Sequence, residues 1–284
     1  MNKLLLRSSL LTLLAKSIQL CPAMLICLFG YLSLAYSRGA VKEGLVAYWS
    51  FDQATFDKKE IKDDFSGLVG KVVGDPELAK KADCKVNECL LLDGAEDYLK
   101  VEDSKPPKIN RTWDQITLEC WVFVTALDDS WNRIISLDDM PSNKNVATLY
   151  YDDDDNRHNF WLRTPNANTD AAKHDIKGDI PIKKWLHLAG TYDGTTVILY
   201  IDGKQANKYT MKGGSLKKGG LILGIGDRSD GCNCDTVQAY LDEVRIYDRA
   251  LTPAQVSNNF QAEGLAVEPS EKTLSLAWGE LKKE

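Results

Sequence analysis

The chain has only nine prolines in 284 residues, no excess of basic groups, and three scattered histidines, His158, His174 and His187. Few prolines, with 44% apolar against 27% charged residues, exclude a compositionally disordered chain and supply a sizeable core. A nucleic-acid surface gains affinity by neutralising phosphates with Lys and Arg. Here 35 basic groups face 41 acidic ones, a net charge of −6, so nucleic acid is excluded as the main partner. The first 37 residues hold three basic groups and no acidic one, which leaves the remainder more acidic still. Such a surface tolerates cations and neutral polar ligands. Also missing are Gly-x-Ser-x-Gly, His-Glu-x-x-His and any phosphate-cradling glycine loop. The length admits two domains of roughly 150 residues, but single β-sandwiches run to roughly 200–250, and one domain is expected.

Lys3, Arg7 and Lys16 precede an uncharged stretch from Ser17 to Ser37. This is the pattern of an export signal, and Ala35-Tyr36-Ser37 offers small residues for cleavage after Ser37. An uncleaved signal-anchor has the same composition, and through it alone would the chain meet a membrane. Residues 1–37 are read as this segment, and secretion or cell-surface display follows in either case.

Beyond it remain Cys84, Cys89, Cys120, Cys232 and Cys234. Cys84 and Cys89 bracket the polar tetrad Lys-Val-Asn-Glu, and in an oxidising compartment a local bridge across that turn is expected. Cys232 and Cys234 are too close for an unstrained bridge; pairing with the first two, or a four-thiolate zinc site, would need the loops to meet. Cys120 reads as a free thiol buried in a strand.

From Leu45 the apolar residues recur in short runs bounded by turn chemistry. Eleven strands are expected, at Leu45–Phe51, Glu88–Leu92, Tyr98–Val101, Ile116–Val124, Arg133–Leu137, Ala147–Tyr151, Asn159–Arg163, Trp185–Tyr192, Thr196–Ile201, Leu221–Ile225 and Ala239–Tyr247. Asp93-Gly94, Asp193-Gly194 and Asp202-Gly203 read as turns. Thr252-Pro253 with Gln255 predicts a short helix over Pro253–Phe260. The whole reads as all-β, a two-sheet antiparallel sandwich over residues 44–260. A polar tail, 261–284, contains the amphipathic piece Leu274–Trp278.

Leu45-Val-Ala-Tyr-Trp-Ser-Phe-Asp52, Asp64-Phe-Ser-Gly67 and Leu91-Leu-Asp-Gly94 resemble the opening of a laminin-G-like jelly-roll domain of the concanavalin A-like lectin/glucanase superfamily. Ile116–Trp121, Trp185–Asp193, Leu199–Gly203 and Leu241–Leu251 are similar to its later strands, in the same order. The Cys84/Cys89 turn and the Cys232/Cys234 loop depart from the family pattern. The resemblance implies a jelly roll and, where first and last strands meet, a structural calcium held by Asp52, Asp64 and Asp242 with the Gly67 carbonyl. Calcium takes six to eight oxygens, which loops and strand ends can offer. Turn-capping aspartates, or an Asp242-Glu243 pair bonded to Arg245 or Arg249, account for the same residues without metal. The run Asp152–Asp155 begins like an EF-hand, but Arg157 and Arg163 stand where Gly and Glu are required, which leaves a solvated turn. Trp49, Trp121 and Trp185 are expected between the sheets, and His187 as a hydrogen-bonded strand histidine.

The superfamily includes glucanases, whose laminarinase-like members carry Glu-x-Asp-x-x-Glu on one strand. No glutamate here has an aspartate two residues later, so a non-catalytic role is expected. Two binding roles remain open. A lectin-like module would hold carbohydrate with Trp131, Tyr151, Trp161, Arg163 and His174, joined by Asp227 and Arg228; an adhesion module would instead offer its loops to an extracellular protein.

Overall fold

The computed structural model describes residues 39–265 except 53–55, 58, 80–82, 95, 104, 128–130, 140–143, 166, 176–180, 217–219, 229–234 and 263. The side chains of 56, 57, 102 and 167–175 are likewise outside the description. The N-terminal segment read as an export signal, Cys232, Cys234 and the tail piece Leu274–Trp278 therefore lie outside the described residues.

The apolar runs fold as strands β1 (Leu45–Trp49), β2 (Phe56–Asp57), β3 (Glu60–Lys62), β4 (Val69–Val73), β5 (Glu77–Ala79), β6 (Cys89–Asp93), β7 (Tyr98–Glu102) and β8 (Ile116–Ala126). They continue as β9 (Trp131–Asp139), β10 (Lys144–Asp152), β11 (Arg157–Thr164), β12 (Ala167–Asp175), β13 (Trp185–Tyr192), β14 (Thr196–Ile201), β15 (Lys204–Thr210), β16 (Leu221–Ile225) and β17 (Gln238–Tyr247), followed by helix α1 (Pro253–Phe260). One sheet runs β15-β14-β13-β8-β17-β6-β5, with β1 also paired to β17; the other runs β12-β11-β10-β9-β16-β7-β4-β3-β2. All named pairings are antiparallel, as in a jelly-roll sandwich. The eleven expected strands are present, with six more. Of these, β12 and β15 are polar edge strands whose sequences, ANTDAAKHD and KQANKYT, lack an apolar alternation.

Alternation places Ile116, Leu118, Cys120, Val122 and Val124 of β8 in the core between the sheets, with Cys120 a buried free thiol. Gly190 of β13 lies directly under Phe160 of β11, where an added Cβ would fall 2.3 Å from the ring. The same alternation corrects two expectations. Trp49 is in the core, but Trp121 and Trp185 share the opposite face of their strands with Glu119 and Phe123. There Trp121 stacks on Phe260 of α1, and Trp185 donates from Nε1 to the Asp83 carbonyl. His187 also faces outward, against Trp121 and Phe260, and neither ring nitrogen has a hydrogen bond among the described residues.

Helix α1 is set by a capping box, in which Gln255 N donates to Thr252 Oγ1 and Thr252 N to Gln255 Oε1, with Pro253 opening the helix. Its Val256 packs with Leu45, Tyr48, Ala189, Tyr200, Tyr247 and Leu251 on the outer face of the eight-stranded sheet. Beneath it a bulge in β17 places two residues, Asp242 and Glu243, between the core residues Leu241 and Val244. Both acidic side chains thereby turn outward, and Glu243 adopts φ 54°. Arg245 binds Glu243 and lies 3.2 Å from Glu119 Oε1, which also accepts from Asn259 Nδ2 of α1 at 2.7 Å. The Asp242-Glu243 pair is thus bonded, through Glu243, to Arg245. Asp202 and Gly203, at φ 50° and 72°, make the tight β14–β15 turn.

Candidate ligand-binding site

An arrangement of aromatic and polar groups lies on the outer face of the nine-stranded sheet. Pairing between β9 and β10 shifts at Leu149/Tyr150, and the extra residue on β9 sends both Ile134 and Ile135 into the core. On either side of that shift, Trp131 and Arg133, then Ser136 and Asp138, come to the outer face. Trp131 lies parallel on Tyr150 of β10, with centroids 4.9 Å apart and planes 7° from parallel. Arg133 is buried and held in place: Nε donates to Asp235 Oδ2 at 2.6 Å and Nη1 to Ser136 Oγ at 3.4 Å. Ser136 in turn donates to Asp138 Oδ1 at 2.8 Å and stands 3.2 Å from Thr148 Oγ1. Arg228 reaches the same Asp235 oxygen at 3.9 Å, and Arg163 lies over the Trp161 ring, 5.1 Å from its centroid. Between these groups opens a cleft of about 370 Å³, lined by Trp131, Arg133, Arg163, Arg228 and Asp235, with Lys144 and Asn145 at the start of β10.

Of the seven residues nominated for ligand contact, the cleft brings together Trp131, Arg163 and Arg228. Trp161 is on the same face but only 9% exposed, and it serves as the bed for Arg163. Tyr151 is not available: it is 0% exposed, in the core between the sheets, because it shares its face with Ala147 and Leu149. Its neighbour Tyr150, itself buried, lies behind the Trp131 ring that lines the cleft. Asp227 is fully buried, its Oδ1 accepting from the Arg228 backbone N–H at 2.6 Å, so it shapes the turn that presents Arg228. His174 pairs with His158 across β12 and β11, and its side chain lies outside the description. Arg133, Lys144, Asn145 and Asp235 were not foreseen. Arg133 lay in an expected strand, where an unbulged alternation with Ile135 and Leu137 would have put it in the core.

The four residues nominated for calcium lie near β1 and β17. Asp242 is fully buried; its Oδ2 accepts from Val86 N at 2.7 Å, and its Oδ1 has no hydrogen bond among the described residues. Burial, with the Asp52 charge adding to it, pushes the Asp242 carboxyl up to about 8. Asp52 accepts from Asn87 Nδ2 and Glu88 N, both at 3.3 Å. Asp64 Oδ2 accepts from Ser50 N and Oγ, both at 2.8 Å, and burial raises its carboxyl as well. Gly67, at φ 77°, lies in the turn that the neighbouring Asp63 organises by accepting from the N–H groups of Phe65, Ser66 and Leu68. Among the described residues, the group of three carboxylates with oxygens within 4.8 Å of one another is a different one, Asp75, Asp93 and Asp97. Cys84 and Cys89 form a disulfide closing the loop that covers Asp52 and Asp242.

A family model described as the concanavalin A-like lectin/glucanases superfamily matches residues 93–257. Comparison with curated proteins gives no match. Among solved structures, domain 4 of an extracellular GH43 arabinanase from Geobacillus stearothermophilus, in complex with arabinotriose, is similar at a TM-score of 0.55 and 20% identity, over 76% of this chain and 97% of that one. Trypanosoma rangeli sialidase in complex with sialic acid gives 0.56 at 17% identity over 78% of this chain, and the binding domain of botulinum neurotoxin serotype G gives 0.58 at 16% over 76%. The match spans 33% of the sialidase and 50% of the toxin domain. At these identities the likeness is one of fold.

Proposed function

The chain belongs to the concanavalin A-like lectin/glucanases superfamily, and from that premise we propose that it is an exported, non-catalytic binding module that holds carbohydrate in the cleft beside Trp131. The observation that carries this reading is the parallel Trp131/Tyr150 pair, set next to Arg163, Arg228 and Asp235. Sugar rings present apolar faces that stack on aromatic rings and rims of hydroxyls that need fixed donors and acceptors, and this cleft offers both. Its volume falls in the roughly 300–1,000 Å³ range of small-ligand sites. Two of the similar structures hold saccharides, an arabinotriose and a sialic acid, which favours the same ligand class.

Hydrolysis would need two carboxylates about 5–5.5 or 6.5–9.5 Å apart across the bond to be cut. Among the described residues, the carboxylate lining this cleft is Asp235, bonded to Arg133; Asp138 nearby is buried and accepts from Ser136, and Glu119 is buried beneath α1 on the other sheet. Export follows from the N-terminal segment.

A structural calcium belongs to the same proposal. The buried Asp242 Oδ1, lacking a donor among the described residues and close enough to Asp52 to feel its charge, fits a cation. Asp52 and Asp242 would hold it, with Asp64 and the Gly67 carbonyl from the adjoining loop. The ion would neutralise the clustered carboxylates and brace the first strand against the last.

The test is retention of the purified protein on an array of immobilised glycans, with calcium and with chelator. Saturable retention, lost in Trp131→Ala, is expected. A blank array under both conditions would overturn the carbohydrate reading and leave an extracellular protein as the partner.

A further inference from the structure

Resting on the calcium reading, we propose that the Cys84–Cys89 disulfide positions the cation site: the oxidised loop holds the carboxylates of Asp242 and Asp52 for the ion, and reduction releases them and weakens calcium binding. The loop meets both carboxylates with its own donors. Val86 N donates to Asp242 Oδ2 at 2.7 Å. Glu88 N and Asn87 Nδ2 donate to the two oxygens of Asp52, each at 3.3 Å, from a turn in which Asn87 has φ 41°. These bonds fix how each carboxylate is turned. Asp242 is fully buried, and with Oδ2 committed to Val86, its Oδ1, which has no hydrogen bond among the described residues, is the atom left for a cation.

The loop is poor in apolar anchors, since Asp83, Lys85 and Asn87 are exposed and Val86 is only half-buried. A hydrogen bond at such a place, like that from Trp185 Nε1 to the Asp83 carbonyl at 3.2 Å, competes with water. The disulfide ties the loop to the sheet: Cys89 opens β6, where Leu90 pairs with Leu241 of β17, the residue before Asp242. Closing that ring holds the donors on the carboxylates in advance, so little freedom is lost when an ion binds. Cys84 is partly exposed and Cys89 fully buried, so a dithiol reductant attacks Cys84 Sγ. Cys89 leaves as a thiolate, and the reductant's second sulfur then closes its own disulfide and frees Cys84. Two electrons pass from the dithiol to the bridge, and its two thiol protons end on the cysteines. The coupling is reciprocal: if the bridge strengthens calcium binding tenfold, saturating calcium shifts the dithiol equilibrium tenfold towards the bridge, about 30 mV.

The experiment titrates calcium calorimetrically, well below the melt, into the whole protein in three forms: oxidised, reduced with dithiothreitol, and with Cys84→Ser and Cys89→Ser together, which isolates this pair from Cys232 and Cys234. The oxidised protein should bind, and the other two at least tenfold more weakly. In parallel, the wild type is equilibrated in mixtures of reduced and oxidised dithiothreitol, with calcium and without, and the Cys84 and Cys89 thiols are trapped by alkylation and counted by mass spectrometry. Calcium should move the midpoint by the same factor, which a bridge that merely stabilised the fold would not show. Should the double variant fail to fold, the midpoint alone carries the test. Equal calcium affinity in oxidised and reduced protein, with an unmoved midpoint, would overturn the role of the bridge and leave the calcium reading intact. An oxidised protein that binds no calcium would overturn both.

Discussion

Arg245 meets Glu119 at 3.2 Å beneath helix α1, and this pair joins the last strand to the middle of the eight-stranded sheet. Glu243 binds the other side of the guanidinium and accepts from Tyr48 of β1 at 2.6 Å, so the cluster draws first strand, last strand and helix together. Both partners are buried, and removing the one cation leaves two carboxylates in apolar surroundings. Arg245→Met should cost about 3–5 kcal/mol, read as a lowered urea midpoint. A midpoint within error of the wild type would show that the cluster does not hold the fold.

His187 should make stability depend on pH. Glu119 Oε2 stands 3.8 Å from its Nε2, but burial first, then the charges of Arg245 and Lys85, hold the ring neutral and push its pKa down to about 3 from 6.5. Below pH 6.5 the unfolded chain takes a proton that the folded chain refuses, so the contribution is fully present above 6.5 and is lost as pH falls toward 3. The melting temperature of the wild type should therefore fall more steeply between pH 6.5 and 4 than that of His187→Gln. Parallel profiles would contradict a neutral buried ring.

The Cys84–Cys89 disulfide closes a loop with several tasks. Asp83 accepts from Trp185, Lys85 lies 4.1 Å from the Trp121 ring centroid, and Val86 and Glu88 donate to Asp242 and Asp52. Constraining a loop this short is worth about 2 kcal/mol, so Cys84→Ser with Cys89→Ser should lower stability by that order. Thermal melts of the wild type with and without reductant check it independently, and melts that coincide would contradict it.

Calcium should raise the melting temperature of the wild type, and Asp242→Ala should abolish the rise. A rise that survives in Asp242→Ala removes that residue from the site. Were it then lost in Asp75→Asn, the ion would belong instead to the Asp75, Asp93 and Asp97 group.

Strand positions were legible in the longer apolar runs, whereas the short β3, whose Ile61 is fully buried, and β4 were not foreseen. Trp185–Tyr192, Thr196–Ile201 and Leu221–Ile225 emerge with the bounds the apolar pattern predicts, and Thr252 caps α1 as its box requires. Polar edges such as β15 were not, since nothing apolar marks them. Side-chain direction was legible only in part. Ala147, Leu149 and Tyr151 share one parity, which already assigns Tyr151 to the core and Tyr150 to the sheet's opposite face. The bulges in β9 and β17 reverse parity within a strand, and no residue type announces them. Trp121 and Trp185 were misplaced for a related reason: α1 and the disulfide loop cover the outer face of their sheet, and large rings pack there as well as between sheets.

The most direct measurement is the dissociation constant for the best-retained glycan in the wild type, Trp131→Ala and Tyr151→Phe. Trp131 offers the stacking face, and its loss should weaken binding at least tenfold while the fold survives, because the ring is half-exposed. Tyr151→Phe removes a core hydroxyl that lacks a hydrogen-bond partner among the described residues, and should leave affinity unchanged. Equal affinity in the wild type and Trp131→Ala would contradict a binding site on the outer face of the nine-stranded sheet.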